Sequence, residues 1–150
     1  MDIGFEETDS ESDLSNFAAR AFIFRGIPVA SMEGLLQALK FSDAEVQRQV
    51  MALVGKFAKF KGKKKKWWRD QLLFWQGEPM RRDSAELQTL FDEAFLALFT
   101  QNEAARKALL ATGDAVLTHS MGKQDPCWTV LTEDEFASRL TRIRAQLQAR

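Results

Sequence analysis

Between residues 84 and 100 the apolar side chains Leu87, Leu90, Phe91, Ala94, Phe95, Leu98 and Phe99 recur every three or four positions. That spacing puts them on one face of an α-helix and predicts a core helix. Other segments repeat the period. Ser31, a helix-capping residue type, precedes Met32, Leu35, Leu36 and Leu39, with Glu33 in the first turn where the helix dipole favours an acid. This predicts a helix to about Lys40. Residues 43–57 predict a second, capped by Ser42 or Asp43, with Val46, Val50, Leu53, Val54 and Phe57 as its buried stripe. Residues 67–75 read as helical again, up to the break at Gln76-Gly77-Glu78-Pro79. Residues 102–111 add a helix around Ala105, Ala108, Leu109 and Leu110, closed by Gly113 as a left-handed terminator. Thr132 and Glu135 form a capping box before a last helix that buries Phe136, Leu140, Ile143 and Leu147.

Strand signals are short. Residues 21–25 are apolar and run into the turn at Gly26-Ile27-Pro28, and residues 115–119 favour a strand by composition. No unit of 20–50 residues repeats, which excludes solenoids and propellers. The fold class predicted is α+β, mainly helical, in a single compact domain with a few short strands.

The chain has 150 residues, of which 45% are hydrophobic, twelve are Phe and four Trp. That supports one core and is incompatible with a wholly disordered chain. No apolar run approaches the eighteen or so residues that cross a bilayer, and the first residues are acidic where a targeting peptide is basic. A cytoplasmic location is expected. One cysteine, Cys127, excludes an intramolecular disulfide, and with one histidine, His119, the chain falls short of a conventional zinc ligand set. No metal and no cofactor is expected. The phosphate-binding loop, the dinucleotide fingerprint, HExxH and GxSxG are all missing, so NTPases, dinucleotide dehydrogenases, zincins and standard α/β-hydrolases are poor candidates.

Twenty-one basic and 21 acidic residues cancel, but unevenly along the chain. Residues 1–13 hold six acids and no base, which predicts a mobile acidic arm ahead of a domain over residues 14–150. From Lys56 to Arg69 there are eight bases and no acid. Lys61, Lys63, Lys64, Lys65, Lys66 and Arg69 make a candidate nucleic-acid surface, with the indoles of Trp67 and Trp68 in reach for base stacking. A solvated loop whose tryptophans turn inward explains the same run.

Candidate chemistry reduces to a polar stripe on the first helix, Glu33, Gln37 and Lys40, with Asp114 and His119 farther on. A carboxylate can serve as acid, base or cation stabiliser, and a neighbouring amine can bind phosphate or attack an aldehyde-like carbon. The set suits cleavage at a sugar carbon. Any surface helix displays such a stripe, however. A lone histidine is commonly satisfied by a backbone carbonyl, and Asp114 after Gly113 can be a turn residue.

Taken in order, Leu14-Ser15-Asn16-Phe17, Gly26, the run from Ser31 to Phe41 containing Ser31-Met32-Glu33 and Gln37-Ala38-Leu39-Lys40-Phe41, Ala58-Lys59 with Gly62, Trp68, Gln101-Asn102 and Leu109-Leu110-Ala111-Thr112-Gly113-Asp114 resemble the signature of the NADAR (YbiA-like) family. The likeness spans residues 14 to about 120. Two departures stand out: Trp128 is followed by Thr129 rather than Gly, and Gly34 stands where many members have His. The resemblance implies a mostly helical α+β domain and an N-glycosidase. One activity associated with the family removes ADP-ribose from the amino group of guanine in nucleic acid, sometimes as antitoxin to a DNA ADP-ribosyltransferase toxin. The other cleaves the C–N bond of phosphorylated riboflavin-pathway intermediates. It further implies Glu33, Lys40 and Asp114 as catalytic residues. Substrate contacts would come from Ser15, Asn16, Phe17, Gln37, Trp68, Trp75, Thr112, Gly113 and His119. The expected partner is ADP-ribosylated nucleic acid or a small ribosyl-phosphate metabolite, with no membrane. Two other classes stay open: a module that binds ADP-ribose or nucleic acid without turnover, and a helical adaptor with no hollow near Glu33.

Overall fold

The computed structural model describes residues 1–4 and 13–150. The described residues form six α-helices, a short 3-10 turn and two separate two-stranded antiparallel sheets. Helix α1 (Met32–Ala38) lies at the centre, with every one of its seven residues buried. Ser31 caps it with an extended backbone, accepting from the Gly34 amide at 3.0 Å and donating to the Leu53 carbonyl at 3.0 Å. Helix α2 (Ala44–Met51) and helix α3 (Gly55–Lys63) pack on two sides of α1. Helices α4 (Ala85–Gln101), α5 (Glu103–Ala111) and α6 (Glu133–Gln148) pack against one another. Phe91, Phe95 and Phe136 fill the middle of the core, each no more than 1% exposed.

Each sheet is a hairpin closed by two residues of positive φ, the signature of a tight primed turn. Strands β1 (Phe22–Phe24) and β2 (Ile27–Val29) are joined through Arg25 (φ 49°) and Gly26 (φ 81°). Strands β3 (Leu72–Trp75) and β4 (Glu78–Arg81) are joined through Gln76 (φ 49°) and Gly77 (φ 90°). The helix expected over residues 67–75 is therefore corrected: only Trp67–Arg69 turn helically, as a 3-10 segment, and the apolar run that follows pairs as a strand. A continuous apolar run fits a buried strand as well as a helix, and the Gln-Gly turn decides. Gln47, fully buried, fastens this hairpin to α1. Its amide donates to Ala38 and Phe74 carbonyls at 3.0 and 2.8 Å and accepts from the Gln76 amide at 2.9 Å.

The second helix is also corrected. The chain leaves helical geometry after Met51 so that the Met51 carbonyl can accept from Ala30 and the Leu53 carbonyl from Ser31, and it restarts at Gly55 with φ 51°. The restart turns α3 about its axis relative to α2, and Phe57, expected inside, is 62% exposed. Residues 115–119 form no strand. They carry one parallel bridge, Asp2 to Thr118, with Ile3 donating to the Thr118 carbonyl at 2.7 Å. Residues 1–4 are thus docked, with Ile3 fully buried, while residues 5–12 of the acidic arm lie outside the described residues.

The caps expected at Asp43, Thr132 and Gly113 are in place, and Ser84 and Asn102, not singled out in the sequence, cap two further helices. Asp43, Ser84 and Asn102 each accept from the backbone amide three residues on, the Thr132–Glu135 box is closed both ways, and Gly113 ends α5 with φ 59°. Gln101 and Asn102 fasten the first hairpin to the end of α4. The Gln101 amide pairs with both backbone groups of Ile23, at 2.7 and 2.8 Å, and Asn102 holds the Ala21 carbonyl at 2.9 Å. Gly34 is equally constrained, since a Cβ there would lie 2.6 Å from the Leu53 carbonyl oxygen. Gly34→Ala is expected to destabilise the protein by roughly 1–3 kcal/mol through overpacking, read as a lower urea midpoint at unchanged slope. An unchanged midpoint would mean that α1 is free to move away from the carbonyls.

Candidate functional site

Helix α1 has no solvent face, so its polar residues must be buried against protein or open on a hollow. Glu33 and Gln37, one turn apart, are each 9% exposed, and the Gln37 amide donates to Glu33 Oε1 at 2.8 Å. Lys40 follows just past the helix end, its Nζ 3.4 Å from the Gly62 carbonyl. All three line one cavity of about 260 Å³. Its other walls include Asn16, Phe17, Leu36, Lys59, Trp67, His119 and residues 121–123 and 128–132.

Gly62 leaves room for the Gln37 amide: a Cβ on it would fall 1.9 Å from Gln37 Oε1 and force that side chain to move. Gln37 Oε1 is itself buried without a hydrogen-bond partner among the described residues. An unsatisfied acceptor costs free energy, and this one is turned to Gly62 of α3 while the amide nitrogen holds Glu33. Arg82 steadies the far wall. Its guanidinium donates to the Thr129 carbonyl at 3.0 Å and pairs with Glu135 at 2.5 Å.

The electrostatics follow from burial. Desolvation pushes the Glu33 carboxyl above the ordinary glutamate range, opposed by the Gln37 hydrogen bond and the nearby Lys40 charge. Desolvation likewise pulls the Lys40 amine below the ordinary lysine range, with Glu33 opposing it. An acid and an amine displaced toward each other share a hollow, the pattern expected where proton transfer and nucleophilic attack take place. His119 Nδ1 donates to the Ile3 carbonyl at 2.8 Å, which fixes the orientation of the ring. The ring packs edge-on against Phe136, with centroids 5.1 Å apart.

The structure brings Glu33, Gln37, Lys40, Asn16, Phe17 and His119 to one cavity. It places the other sequence candidates elsewhere. Ser15 accepts from the Phe17 amide at 3.1 Å and lines a small crevice next door. Thr112 accepts from Arg144 at 2.8 Å, Gly113 offers its carbonyl to Gln148 at 3.0 Å, and Asp114 is exposed; none of the three lines the cavity. Trp75 stacks edge-on against Phe24, with centroids 5.2 Å apart, away from the cavity. Trp68 stands behind the rim and packs on Trp128 with centroids 5.1 Å apart, and it is Trp128, 58% exposed, that lines the hollow. Lys61, Lys63, Lys64, Lys65, Lys66 and Arg69 are all exposed. Sequence reasoning did not name Trp128 as a lining residue, because a loop folded over a cavity has no periodicity to betray it, nor Lys59, whose place at the hollow depends on how α3 packs on α1.

The bacteriophage GP30.3 protein family matches residues 9–145, and the chain belongs to that family. It is 37% identical over 139 residues to an uncharacterized 17.1 kDa protein of the Gp30-rIII intergenic region of Enterobacteria phage T4, covering 89% of this chain and 90% of the relative. Among solved structures, the NMR structure of the E. coli protein YbiA is similar with a TM-score of 0.64 at 21% identity, over 95% of this chain and 81% of that one. The fold is that of YbiA. Among the described residues no helix is long and apolar enough to cross a membrane.

Because the folded pKa of Glu33 is raised, the unfolded chain loses the proton first, and stability falls as pH rises from the ordinary glutamate range through the folded pKa. Glu33→Gln is therefore expected to melt higher than the parent at pH 8, by on the order of 2–4 °C, with the gap closing toward pH 4. A gap that is equal at both pH values would show that burial does not disfavour the charged carboxylate.

Proposed function

We propose that this member of the GP30.3 family is an N-glycosyl hydrolase that removes ADP-ribose from the amino group of guanine in nucleic acid. The reading rests on one observation: Glu33 and Lys40, both buried and with opposed pKa displacements, line a single hollow of about 260 Å³. It is supported by the YbiA fold. In the proposed reaction the ribose ring opens as its C1′–O4′ bond breaks and O4′ takes a proton, leaving an iminium at C1′. The Glu33 carboxylate stabilises that positive charge. The neutral Lys40 amine adds to C1′, the guanine amine departs with a proton, and a lysine imine remains. Water, deprotonated by Glu33, then adds to C1′ and releases ADP-ribose and the free amine. Gln37 orients Glu33 through its amide hydrogen bond. The rim indole of Trp128 stacks on the base.

Nucleic acid is favoured over a small riboflavin-pathway substrate by the eight bases between residues 56 and 69, more than one phosphate ester requires. In such a role the partner would be a DNA ADP-ribosyltransferase toxin, with this chain as its antitoxin.

The test is incubation with ADP-ribosylated guanine DNA and, separately, with a ribosylaminopyrimidine phosphate, with products identified by mass spectrometry. Free ADP-ribose from the DNA is expected. Cleavage of the pyrimidine substrate only would assign the metabolite reaction, and ligand binding without release would assign a non-catalytic module. Glu33→Gln is expected to lower kcat by about 10²–10³-fold in a folded protein; near-parental turnover would remove the carboxylate from the mechanism. Borohydride added during turnover should trap a covalent adduct on Lys40. Its absence with an active enzyme would leave that lysine to hold phosphate.

A further inference from the structure

The helix that carries the start of the basic run also displays two aromatic rings that the fold does not cover. Phe57 and Phe60, three residues apart on α3, are 62% and 69% exposed, whereas Ala58 and Gly62 are buried, the latter against Gln37 of α1. The rings lie among cations. Lys56 Nζ is 5.7 Å from the Phe57 centroid, and Lys64 Nζ is 5.9 Å from that of Phe60. The strip reaches the cavity: Lys59 Nζ lies 5.7 Å from the ring of Phe17, Phe17 packs over Gly55 at the start of α3, and Phe17 and Lys59 both line the hollow.

Exposed rings interleaved with lysines fit a polymer that presents flat apolar faces and phosphates in alternation. A single-stranded nucleic acid does so, whereas a duplex offers phosphates with its base faces already stacked. We propose that the Phe57–Phe60 face of α3 is a docking platform for single-stranded nucleic acid. Two bases stack on the rings, the flanking lysines hold the phosphates between them, and the strand continues over Phe17 to the cavity. This rests on the reading of nucleic acid as substrate and adds to it that the target base arrives already unpaired.

The experiment measures fluorescence anisotropy of a labelled oligothymidylate of roughly 15 nucleotides, of a duplex of the same length and of anionic phosphatidylserine vesicles. Parent, F57A/F60A and K63S/K64S/K65S/K66S are compared at low and at physiological salt. F57A/F60A is expected to bind the single strand about tenfold or more weakly with an unchanged salt slope, and the duplex within about twofold of the parent. The lysine variant is expected to flatten the salt slope for both. Both rings are exposed, so an unchanged melting temperature accompanies the loss. F57A/F60A binding the oligothymidylate as tightly as the parent overturns the platform, and so does a loss confined to vesicles, which would mark a membrane surface. Failure of the two readings is distinguishable. Ring-dependent binding of unmodified oligothymidylate with no release of ADP-ribose removes the reaction and keeps the platform, while hydrolysis with no effect of F57A/F60A on binding does the reverse.

Discussion

A seven-residue helix surrounded by protein, yet carrying a carboxylate and an amide on one side, is the constraint around which the domain is arranged. Burying a charge without a full complement of partners is costly. The fold limits that cost by letting the polar side of α1 open on a hollow while the apolar side meets the core. Everything that touches α1 serves this compromise. Ser31 and Gly34 seat it on the carbonyls that end α2, Gln47 ties its end to the β3–β4 hairpin, and Gly62 of α3 leaves room for the Gln37 amide.

The same compromise displaces the titration of both groups. Water is thinned around Glu33 and Lys40, so each favours its neutral form more than it would in solution. A carboxyl that holds its proton longer and an amine that loses it sooner can exchange roles during a reaction, and neither arrangement contributes to stability. The hollow also has a direction. Its rim carries Phe17, Lys59 and Trp128, and beyond the rim α3 continues as a strip of lysines and uncovered rings. In the proposed reading, substrate recognition and chemistry sit on two adjacent helices that meet at Gly62 and Gln37.

Much of this was legible in the sequence because it depends on local rules. The amphipathic helices α1, α4, α5 and α6 were readable from apolar period, the starts of α1 and α6 also from their cap residues, and the Glu33–Gln37–Lys40 face followed from helical spacing. What escaped was decided by long-range contacts. The split of residues 43–57 into α2 and α3 comes from carbonyls of residues 51 and 53 bonding to residues 30 and 31, which no local pattern announces. The strand at residues 72–75 was hidden because an apolar run without alternation suits helix and strand alike, although the Gln76-Gly77 turn repeats the Arg25-Gly26 turn. Resemblance grouped residues 112–114 and Trp75 with the site, but residues 112–114 follow the end of α5 and Trp75 packs on Phe24. Motif residues can hold a fold in place as readily as they hold a ligand.

The account is tested most directly by a crystal structure of the protein with ADP-ribose. It predicts the ribose C1′ within about 3.5 Å of the Glu33 carboxylate or Lys40 Nζ. ADP-ribose bound on another surface, with Glu33, Gln37 and Lys40 untouched, would contradict it.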